Sequence, residues 1–275
     1  MRALRFLILL ALLAFPSAVL AAEELMMATT TSTQDSGLLD YLKPLLLKEA
    51  GIDLKWVSTG TGKALEHGKN CDVDVLLVHA PAAELKMVEE GFAVDRRPIM
   101  YNDFVLVGPK SDPAGIRGKS VADALKVFSD KKIVFVSRGD KSGTHQTEQG
   151  LWSALKMPVP DKESWYVQLG QGMMATINAA AEKNGYTLTD RGTWIKFEAV
   201  RKEKNPLAVL VEGDKILLNQ YSIMIVNPAR CPGVKAGLAK KFADWWVCAP
   251  TQNHIAAFKL EGKQLFFPNA APPSR

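Results

Sequence analysis

Residues Val134–Glu148 have the sequence VFVSRGDKSGTHQTE. Ile133–Val136 is a short run of β-branched and aromatic residues, which predicts a strand. Ser137–Lys141 is polar and contains a glycine, and helix-forming residues follow Ser142. The first turn of a helix leaves backbone N–H groups without intrahelical partners and carries roughly half a positive charge. The stretch therefore predicts a strand, a loop and a helix whose junction can bind an anion.

Side chains add to the donors of this junction. Ser142 and Thr144 carry hydroxyls on either side of Gly143, whose missing side chain lets an anion approach the backbone. Arg138 adds a fixed cation. Each of these groups can donate a hydrogen bond to an anion. The alternative is a helix capped by Ser142 after a solvated loop, a common arrangement that needs no ligand.

A second junction of the same character lies near the start of the chain. Glu24–Ala28, with the sequence ELMMA, predicts a strand that leads into the hydroxyl-rich stretch TTTSTQDSG at residues 29–37. Leucines at helical spacing follow. Ligands of open α/β sheets bind beyond the carboxyl ends of strands. The hydroxyls of this run could donate to a ligand, with a capped, solvated turn as the alternative.

A third loop, rich in glycine and hydroxyl residues, follows the strand predicted at Leu54–Ser58. Residues 58–63 are Ser-Thr-Gly-Thr-Gly-Lys and precede a short predicted helix. The P-loop pattern G-x-x-x-x-G-K-[ST] fails because Val57 replaces the first glycine and Ala64 follows the lysine. This loop therefore lacks the hydroxyl that would bind magnesium in a nucleotide site.

Residues 1–21 have the pattern of a secretory signal peptide. Arg2 and Arg5 precede an apolar run from Phe6 to Ala14 that is too short for a membrane-spanning helix, and small residues follow. The mature protein is expected to begin at Ala22 and to be exported to the periplasm. No cysteine follows the predicted cleavage site, so no lipid anchor is expected.

The charge balance does not indicate a nucleic-acid partner. Lys and Arg total 34 and Asp and Glu total 29; removing Arg2 and Arg5 leaves 32 against 29, a net charge near +3. The basic residues are interspersed with acidic ones rather than clustered. The remaining residues, about 254, are enough for two domains with separate cores.

The three cysteines are Cys71, Cys231 and Cys248. In an oxidising compartment one pair could form a disulfide, and loop closure favours Cys231–Cys248, although the sequence leaves the pairing open. The acidic and histidine residues near Cys71 lack the spacing of a known zinc site. No metal site and no cofactor are therefore expected.

Two apolar strands predict how the chain divides. Phe104–Val107 is followed by the chain-breaking Gly108-Pro109, and Tyr221–Val226, with the sequence YSIMIV, is followed by Asn227-Pro228. We interpret these as paired crossover strands that leave a first lobe and return to it. The repeated strand, turn and helix pattern predicts an α/β fold with two lobes and a cleft between them. The predicted boundaries are 22–106 with 223–275 for lobe I, and 107–222 for lobe II.

Six segments, by their order and spacing, resemble the tungstate-binding periplasmic component of ABC-type tungstate uptake systems. They are TTTST with DSGLL at 29–39, GTGKAL at 60–65, DVLLVHA at 74–80, MYNDF at 100–104, SRGD with SGTH at 137–145, and YTLTDR at 186–191. The resemblance covers nearly the whole chain after residue 21. It implies a type II periplasmic binding protein whose two α/β lobes close on a ligand in the cleft.

The resemblance also implies a ligand and a partner. The ligand would be tetrahedral tungstate, with molybdate as a weaker ligand, and the partner would be a membrane permease powered by a cytoplasmic ATPase. A monomer is expected. By motif position, the pocket would be formed by Thr30, Thr31, Ser32, Ser58, Thr59, Thr61, Arg138, Ser142, Gly143 and Thr144.

The choice of oxyanion does not follow from the residues alone. Tungstate and molybdate are dianions of nearly equal size, so a pocket of donors suits both. Sulfate is smaller and should make longer, weaker contacts with the pocket. Phosphate carries a proton and requires a hydrogen-bond acceptor, for which Asp35 and Asp140 are available. These carboxylates are more simply expected to hold Arg138 or cap a helix.

Enzyme function is not predicted. The pattern G-x-S-x-G is absent around Ser142, and His145 lies only three residues further along the same helix, where it is poorly placed as a general base. His79, at the end of a predicted buried strand, is expected to form a local hydrogen bond. The competing interpretation is a binding protein for phosphate or a small carboxylate, or an anion sensor.

Overall fold

Strands and helices alternate along the chain. The computed structural model describes residues 22–271, and the predicted signal peptide at 1–21 lies outside the described residues. The strands are β1 (Glu23–Thr30), β2 (Ile52–Thr59), β3 (Val75–Val78), β4 (Ala93–Pro109), β5 (Phe135–Ser137), β6 (Tyr166–Gln168), β7 (Thr187–Asp190), β8 (Leu207–Val211), β9 (Leu218–Val226), β10 (Lys259–Leu260), β11 (Lys263–Gln264) and β12 (Phe267–Pro268). The α-helices are α1 (Thr31–Asp35), α2 (Leu38–Ala50), α3 (Thr61–Lys69), α4 (Pro81–Glu89), α5 (Val121–Lys131), α6 (Gly143–Ala154), α7 (Met173–Glu182), α8 (Arg191–Arg201), α9 (Ala236–Val247) and α10 (Ala249–Ala257). None of the helices within 22–271 has the length and apolar composition to cross a membrane.

The larger sheet brings three strand ends together. Its strand order is β12-β4-β9-β3-β1-β2, and β1 is parallel to both β2 and β3. Thr30 lies opposite Thr59, and Thr29 lies opposite Leu77. Because the three parallel strands run in the same direction, their carboxyl ends meet at one edge of the sheet. Helices α1, α3 and α4 begin at that edge.

Strand β4 is 17 residues long and contributes to both lobes. Its first part pairs with β9 as far as Asp103 and Leu218, and Phe104–Pro109 pairs with β7 and β8. The short parallel pair β5 and β6 lies next to this second group through a bridge between Phe135 and Tyr186. The predicted α/β fold with two crossover strands is confirmed. The lobe boundaries at 22–106, 107–222 and 223–275 stay a prediction.

Each lobe buries apolar side chains on both faces of its strands. Around the larger sheet, α2, α9 and α10 cover one face, and α3 and α4 cover the other. In the second lobe, α5 and α6 pack on one face of β4, and α7 and α8 pack on the other. Burying one large apolar side chain stabilises the fold by about 1.5–3 kcal/mol. These cores hold the strand ends, and therefore the helix starts, in fixed positions.

The disulfide joins Cys71 to Cys231, with Cα atoms 5.4 Å apart, so the favoured pair Cys231–Cys248 is wrong. Strands β3 and β9 are antiparallel, with Val75 opposite Ile225. The turn before β3 therefore lies beside the turn after β9, although 160 residues separate the two cysteines. Loop closure depends only on sequence separation and could not reveal this pairing. Among the described residues Cys248 is free, with its Sγ 3.3 Å from Thr251 Oγ1.

Candidate functional site

Two of the predicted junctions lie side by side at the carboxyl edge of the larger sheet. β1 ends at Thr30 where α1 begins, and β2 ends at Thr59 just before α3 begins at Thr61. The N-cap residue of α3 is Gly60, and no side chain among residues 22–271 caps this helix. Its first N–H groups are therefore open to an external acceptor.

Three hydroxyls of the run at 29–33 serve the fold of the loop. The Thr29 hydroxyl is buried and donates to the Leu77 carbonyl at 2.8 Å. Thr30 and Thr33 are also buried, and their hydroxyls share a hydrogen bond of 2.7 Å. Thr30 Oγ1 accepts from the Thr33 N–H at 3.4 Å and so caps α1. Thr30 was a predicted ligand contact, but its hydroxyl is used to cap α1.

The two remaining hydroxyls of the run face the space between the lobes. Thr31 is exposed, Ser32 is half-buried, and both line the interlobe cleft. They lie in the first turn of α1, where backbone N–H groups also lack helical partners. Thr31 and Ser32 therefore line the cleft, and their contact with a ligand stays a prediction.

The junction in the second lobe joins β5 to α6 through a tightly bonded loop. Ser142 Oγ accepts from the His145 N–H at 3.3 Å and caps α6. Asp140 Oδ1 accepts from the Ser142 N–H at 3.0 Å. Its Oδ2 accepts from Nε and Nη2 of Arg138 at 3.1 and 2.6 Å. Asp140 therefore has both expected roles, because it binds Arg138 and also stabilises the start of α6.

Asp140 is a carboxylate whose acceptor sites are largely taken. Burial alone would raise the pKa of Asp140, but hydrogen bonds from Ser142 and the charge of Arg138 outweigh burial and lower that pKa. A proton on a bound phosphate would have to compete with these three donors for the carboxylate oxygens. Asp140 is therefore a poor candidate for the acceptor that a phosphate site requires.

The start of α6 contacts the start of α3 across the cleft. A Cβ built on Gly143 would lie 3.1 Å from Thr61 Oγ1 and 3.4 Å from His79 Cε1. The absence of a side chain at 143 thus allows the two helix starts to approach this closely. Thr61 is only 2% exposed, and its Oγ1 has no hydrogen-bond partner within the described part of the chain. A buried hydroxyl without a partner costs about 1–3 kcal/mol, which a ligand oxygen would recover.

The cleft itself has a volume of about 490 Å³. Of the predicted site residues, it is lined by Thr31, Ser32 and Arg138. The other predicted residues are not among the residues that line the cleft. Ser58 and Thr59 are half-buried at the end of β2, Ser142 and Gly143 are half-buried at the start of α6, and Thr61 and Thr144 are buried.

The far wall of the cleft consists of residues that the sequence analysis did not assign. It contains Asn102 from β4, Asp190 at the end of β7, and Thr193 and Lys196 from α8. The Asp190 carboxylate caps α8 by accepting from the Thr193 N–H at 2.8 Å and the Thr193 hydroxyl at 2.7 Å. The segment YTLTDR has the same change from a strand pattern to a helix start as the other junctions. Because the segment is short, the helix that follows it was not predicted from the sequence.

His79 links the cleft to the crossover strands. Its ring is buried and stacks on Tyr221, with centroids 4.7 Å apart. His79 Nδ1 bonds Asn219 Oδ1 at 2.9 Å, and Nε2 lies 3.4 Å from Ser32 Oγ. His79 is therefore hydrogen-bonded, as expected, but its partners are distant in the sequence rather than local. Burial lowers the pKa of His79, against the opposing effects of the Asn219 hydrogen bond and the charge of Asp190.

A buried carboxyl group supports the Arg138 loop from behind. The hydroxyl of Ser137, the residue before Arg138, donates to Glu148 Oε2 at 2.6 Å. The Tyr166 hydroxyl donates to the other oxygen of Glu148. Burial raises the pKa of Glu148 to about 7, and the hydrogen bonds from Ser137 and Tyr166 limit the rise. Glu148 therefore anchors the end of β5 while carrying a proton over much of the acidic range.

Glu148→Gln should change how stability depends on pH. The folded-state pKa of about 7 lies above the ordinary value of 4.5, so the protonated form is favoured by folding. This contribution is complete below about pH 4.5 and is lost as the pH rises through 7. Between pH 5 and 8 the wild type should lose up to roughly 3 kcal/mol of unfolding free energy relative to Glu148→Gln. Urea unfolding at both pH values measures the difference.

The exposed Glu203 provides the matched control, and Glu203→Gln should leave the pH dependence of wild-type stability unchanged. Parallel stability curves for wild type and Glu148→Gln would show that Glu148 does not titrate in this range.

The hydroxyl and imidazole groups near α6 do not form a nucleophile and base pair. The Ser142 hydroxyl is the helix cap, and His145 Nδ1 accepts from the Lys141 N–H at 3.0 Å. Within the described residues, no group of three or more His, Cys, Asp or Glu side chains is placed to hold a metal ion. The cleft lining combines hydroxyl donors and two cations, Arg138 and Lys196, with the carboxylates of Asp35 and Asp190. The donors and the cations suit anion binding.

Comparison with known proteins gives a match along most of the chain. The model of the PBP superfamily domain matches residues 18–250. The tungstate-binding protein TupA of Campylobacter jejuni is 50% identical over 235 residues, which are 86% of this chain and 87% of that protein. The protein of the same name from Peptoclostridium acidaminophilum is 42% identical over 256 residues, covering 91% of this chain and 87% of that one.

Solved structures show the same similarity. The structure of the tungstate-binding protein TupA from Desulfovibrio alaskensis G20 is 59% identical, with a TM-score of 0.86, over 91% of this chain and all of that one. The structure titled as the tungstate ABC transporter from Geobacter sulfurreducens is 47% identical, with a TM-score of 0.75, over 86% of this chain and all of that one.

Proposed function

This chain belongs to the tungstate-binding protein family within the PBP superfamily, and from that membership we propose that it captures tungstate in its interlobe cleft for an ABC transporter. The cleft offers donors from both lobes. Tungstate at neutral pH is a dianion without a proton, so each of its oxygens accepts hydrogen bonds. A site composed of donors and a cation matches that requirement.

The single observation that carries the proposal is the unpartnered hydroxyl of Thr61. Within residues 22–271 its Oγ1 has no hydrogen-bond partner, although the residue is 2% exposed. It lies at the uncapped start of α3 and faces Gly143 at the start of α6. Two helix starts, each with a partial positive charge, therefore meet around a hydroxyl that lacks a partner. An oxyanion bound beside these helix starts would accept from the Thr61 hydroxyl and from the first N–H groups of both helices.

Arg138 supplies the full positive charge in this proposal. Its guanidinium lines the cleft, and Asp140 fixes its orientation through Nε and Nη2. The rest of the guanidinium is then available to the anion. A charge-assisted hydrogen bond contributes about 1.5–3 kcal/mol net, and closure of the lobes strengthens it by excluding water. Removing the anion from water opposes these gains.

Thr61→Val tests the proposal because valine keeps the shape of threonine and removes the hydroxyl. The Kd for tungstate should rise roughly 10-fold or more, as expected for the loss of a hydrogen bond to a charged ligand. The unfolding free energy of the unliganded protein should stay the same or rise, because the lost hydroxyl has no partner in the described fold. Calorimetric titration and urea unfolding measure the two effects.

Thr29→Val is the matched control, because the buried Thr29 hydroxyl does have a partner, the Leu77 carbonyl. It should lower stability by about 1 kcal/mol and leave tungstate affinity nearly unchanged. If Thr61→Val lost stability and kept its affinity, Thr61 would belong to the fold and not to the site.

The transporter and the compartment complete the proposal. The predicted signal peptide at 1–21 would export the protein to the periplasm, where it would act as a monomer and pass its ligand to a membrane permease. Molybdate has nearly the same size and charge as tungstate, so we expect it to bind the same cleft with equal or lower affinity. Of the two carboxylates considered as acceptors for phosphate, Asp140 already accepts from Arg138 and Ser142, whereas Asp35 lines the cleft. A phosphate site would therefore depend on Asp35.

A further inference from the structure

The tautomer of His79 is determined by a chain of amide hydrogen bonds across the crossover strands. The Asn219 amide nitrogen donates to Asn102 Oδ1 at 2.7 Å and to the Tyr221 hydroxyl at 3.3 Å. Its Oδ1 therefore faces His79 Nδ1, at 2.9 Å. Since Oδ1 can only accept, the proton of a neutral His79 ring lies on Nδ1. The other ring nitrogen, Nε2, is then an acceptor.

This acceptor faces a hydroxyl of the proposed tungstate site. His79 Nε2 lies 3.4 Å from Ser32 Oγ, and Ser32 lines the cleft in the first turn of α1. While His79 is neutral, the hydrogen of the Ser32 hydroxyl is drawn to Nε2. It is then directed away from the cleft, where an oxyanion would need it. Thr30 Oγ1 also lies 3.2 Å from Ser32 Oγ and can donate to it, so the imidazole and the anion compete for the hydrogen of Ser32.

We propose that His79 controls whether Ser32 can donate to the anion, and that tungstate capture is accompanied by proton uptake at His79 Nε2. The proton comes from solvent, and no other bond is made or broken. The protonated ring donates from Nε2 to Ser32 Oγ, which frees the Ser32 hydrogen for the anion. This inference rests on the proposed function, because it requires an oxyanion in the same cleft.

The charges around His79 favour this coupling. Burial lowers the pKa of His79, so the ring is neutral in the empty protein near neutral pH. Among the described residues, the charged group that raises the pKa of His79 against the effect of burial is Asp190, from β7. Tyr221, from β9, stays neutral because burial raises its pKa, and the facing residues of α1 and α6, Ser32 and Gly143, carry no charge. A bound dianion adds negative charge beside the ring and therefore raises the pKa of His79.

Calorimetric titration of the intact mature protein with sodium tungstate, in buffers that differ in ionisation enthalpy, tests this coupling. Near pH 7 the wild type should take up as much as about one proton, and its affinity should fall by up to about tenfold per pH unit as the pH rises through this region. His79→Gln, which cannot titrate, should bind without proton uptake and with an affinity that changes little with pH. His145→Gln removes the other buried histidine of the region and should keep the wild-type proton uptake.

The outcomes separate this inference from the proposed function. Tungstate binding by the wild type without proton uptake would overturn the role of His79 and leave the proposed function standing. Uptake that persisted in His79→Gln, or vanished in His145→Gln, would also overturn it. The absence of tungstate binding at every pH would instead refute the proposed function.

A spectroscopic measurement on the wild type avoids any folding defect of a variant. The ¹⁵N shifts of the His79 ring should indicate a proton on Nδ1 alone in the empty protein and on both nitrogens with tungstate bound. A ring that stays neutral on saturation with tungstate at pH 7 would overturn the inference.

Discussion

Arg138→Ala is expected to raise the Kd for tungstate roughly 10- to 100-fold, because it removes the charge-assisted hydrogen bonds of the cleft-lining guanidinium. Arg138 lies in the loop between β5 and α6, so little stability should be lost. Calorimetric titration of wild type and variant measures the change in Kd. Part of the change should appear as a slower association at low salt, since a cation in a cleft attracts anions.

Two further variants separate the charge of Arg138 from its support of the loop. Arg138→Lys keeps the charge and loses the planar fork, so its Kd should lie between those of wild type and Arg138→Ala. Asp140→Asn breaks the ion pair while Arg138 remains, and its effect should be smaller than that of Arg138→Ala. Arg117→Ala is the control, because Arg117 is exposed and bonds the carbonyls of Val209 and Lys110. Unchanged affinity in Arg138→Ala would remove Arg138 from the site.

Loss of the Cys71–Cys231 disulfide should give the largest change in stability. The bond closes a loop of 160 residues and ties the turn before β3 to the turn after β9. Cys71→Ser should lower the unfolding free energy by roughly 2–5 kcal/mol, mostly by giving the unfolded chain more freedom. Urea unfolding with and without a reductant measures this, and the reduced wild type should resemble the variant.

Cys248→Ser is the control for that experiment, because Cys248 is a free thiol among the described residues. It should unfold at nearly the wild-type urea concentration and should remain sensitive to reductant. Equal stability of oxidised wild type and Cys71→Ser would show that this disulfide contributes nothing to the fold. Tungstate affinity should be nearly unaffected by Cys71→Ser, because the bond lies outside the cleft lining.

The sequence allowed prediction of the features that depend on local pattern. The strand-to-helix junctions at Thr30, Thr59 and Ser137 were predicted from a local pattern. In each, an apolar run stops at hydroxyl or glycine residues, and apolar residues at helical spacing follow. The parallel order of β1, β2 and β3 then follows from the α/β pattern. The crossover strands were located by the apolar character of their segments, although β4 begins at Ala93, well before the predicted Phe104.

Features that depend on tertiary contacts could not be predicted in this way. Thr29, Thr30 and Thr31 are the same residue type in succession, and only the register with β3 and the cap of α1 separate the buried pair from the cleft-facing Thr31. The far wall of the cleft, at Asp190 and Thr193, lies in the second lobe and reaches the site through the crossover strands. The bonding of His79 to Asn219 joins residues 140 positions apart.

Direct titration of the unmodified protein with four anions tests the central claim most directly. The mature protein, stripped of endogenous anion, would be titrated calorimetrically with tungstate, molybdate, sulfate and phosphate in a buffer free of all four. We expect tight one-to-one binding of tungstate, equal or weaker binding of molybdate, and no heat from sulfate or phosphate. Binding of phosphate alone, or of none of the four anions, would contradict the assignment of this cleft to tungstate.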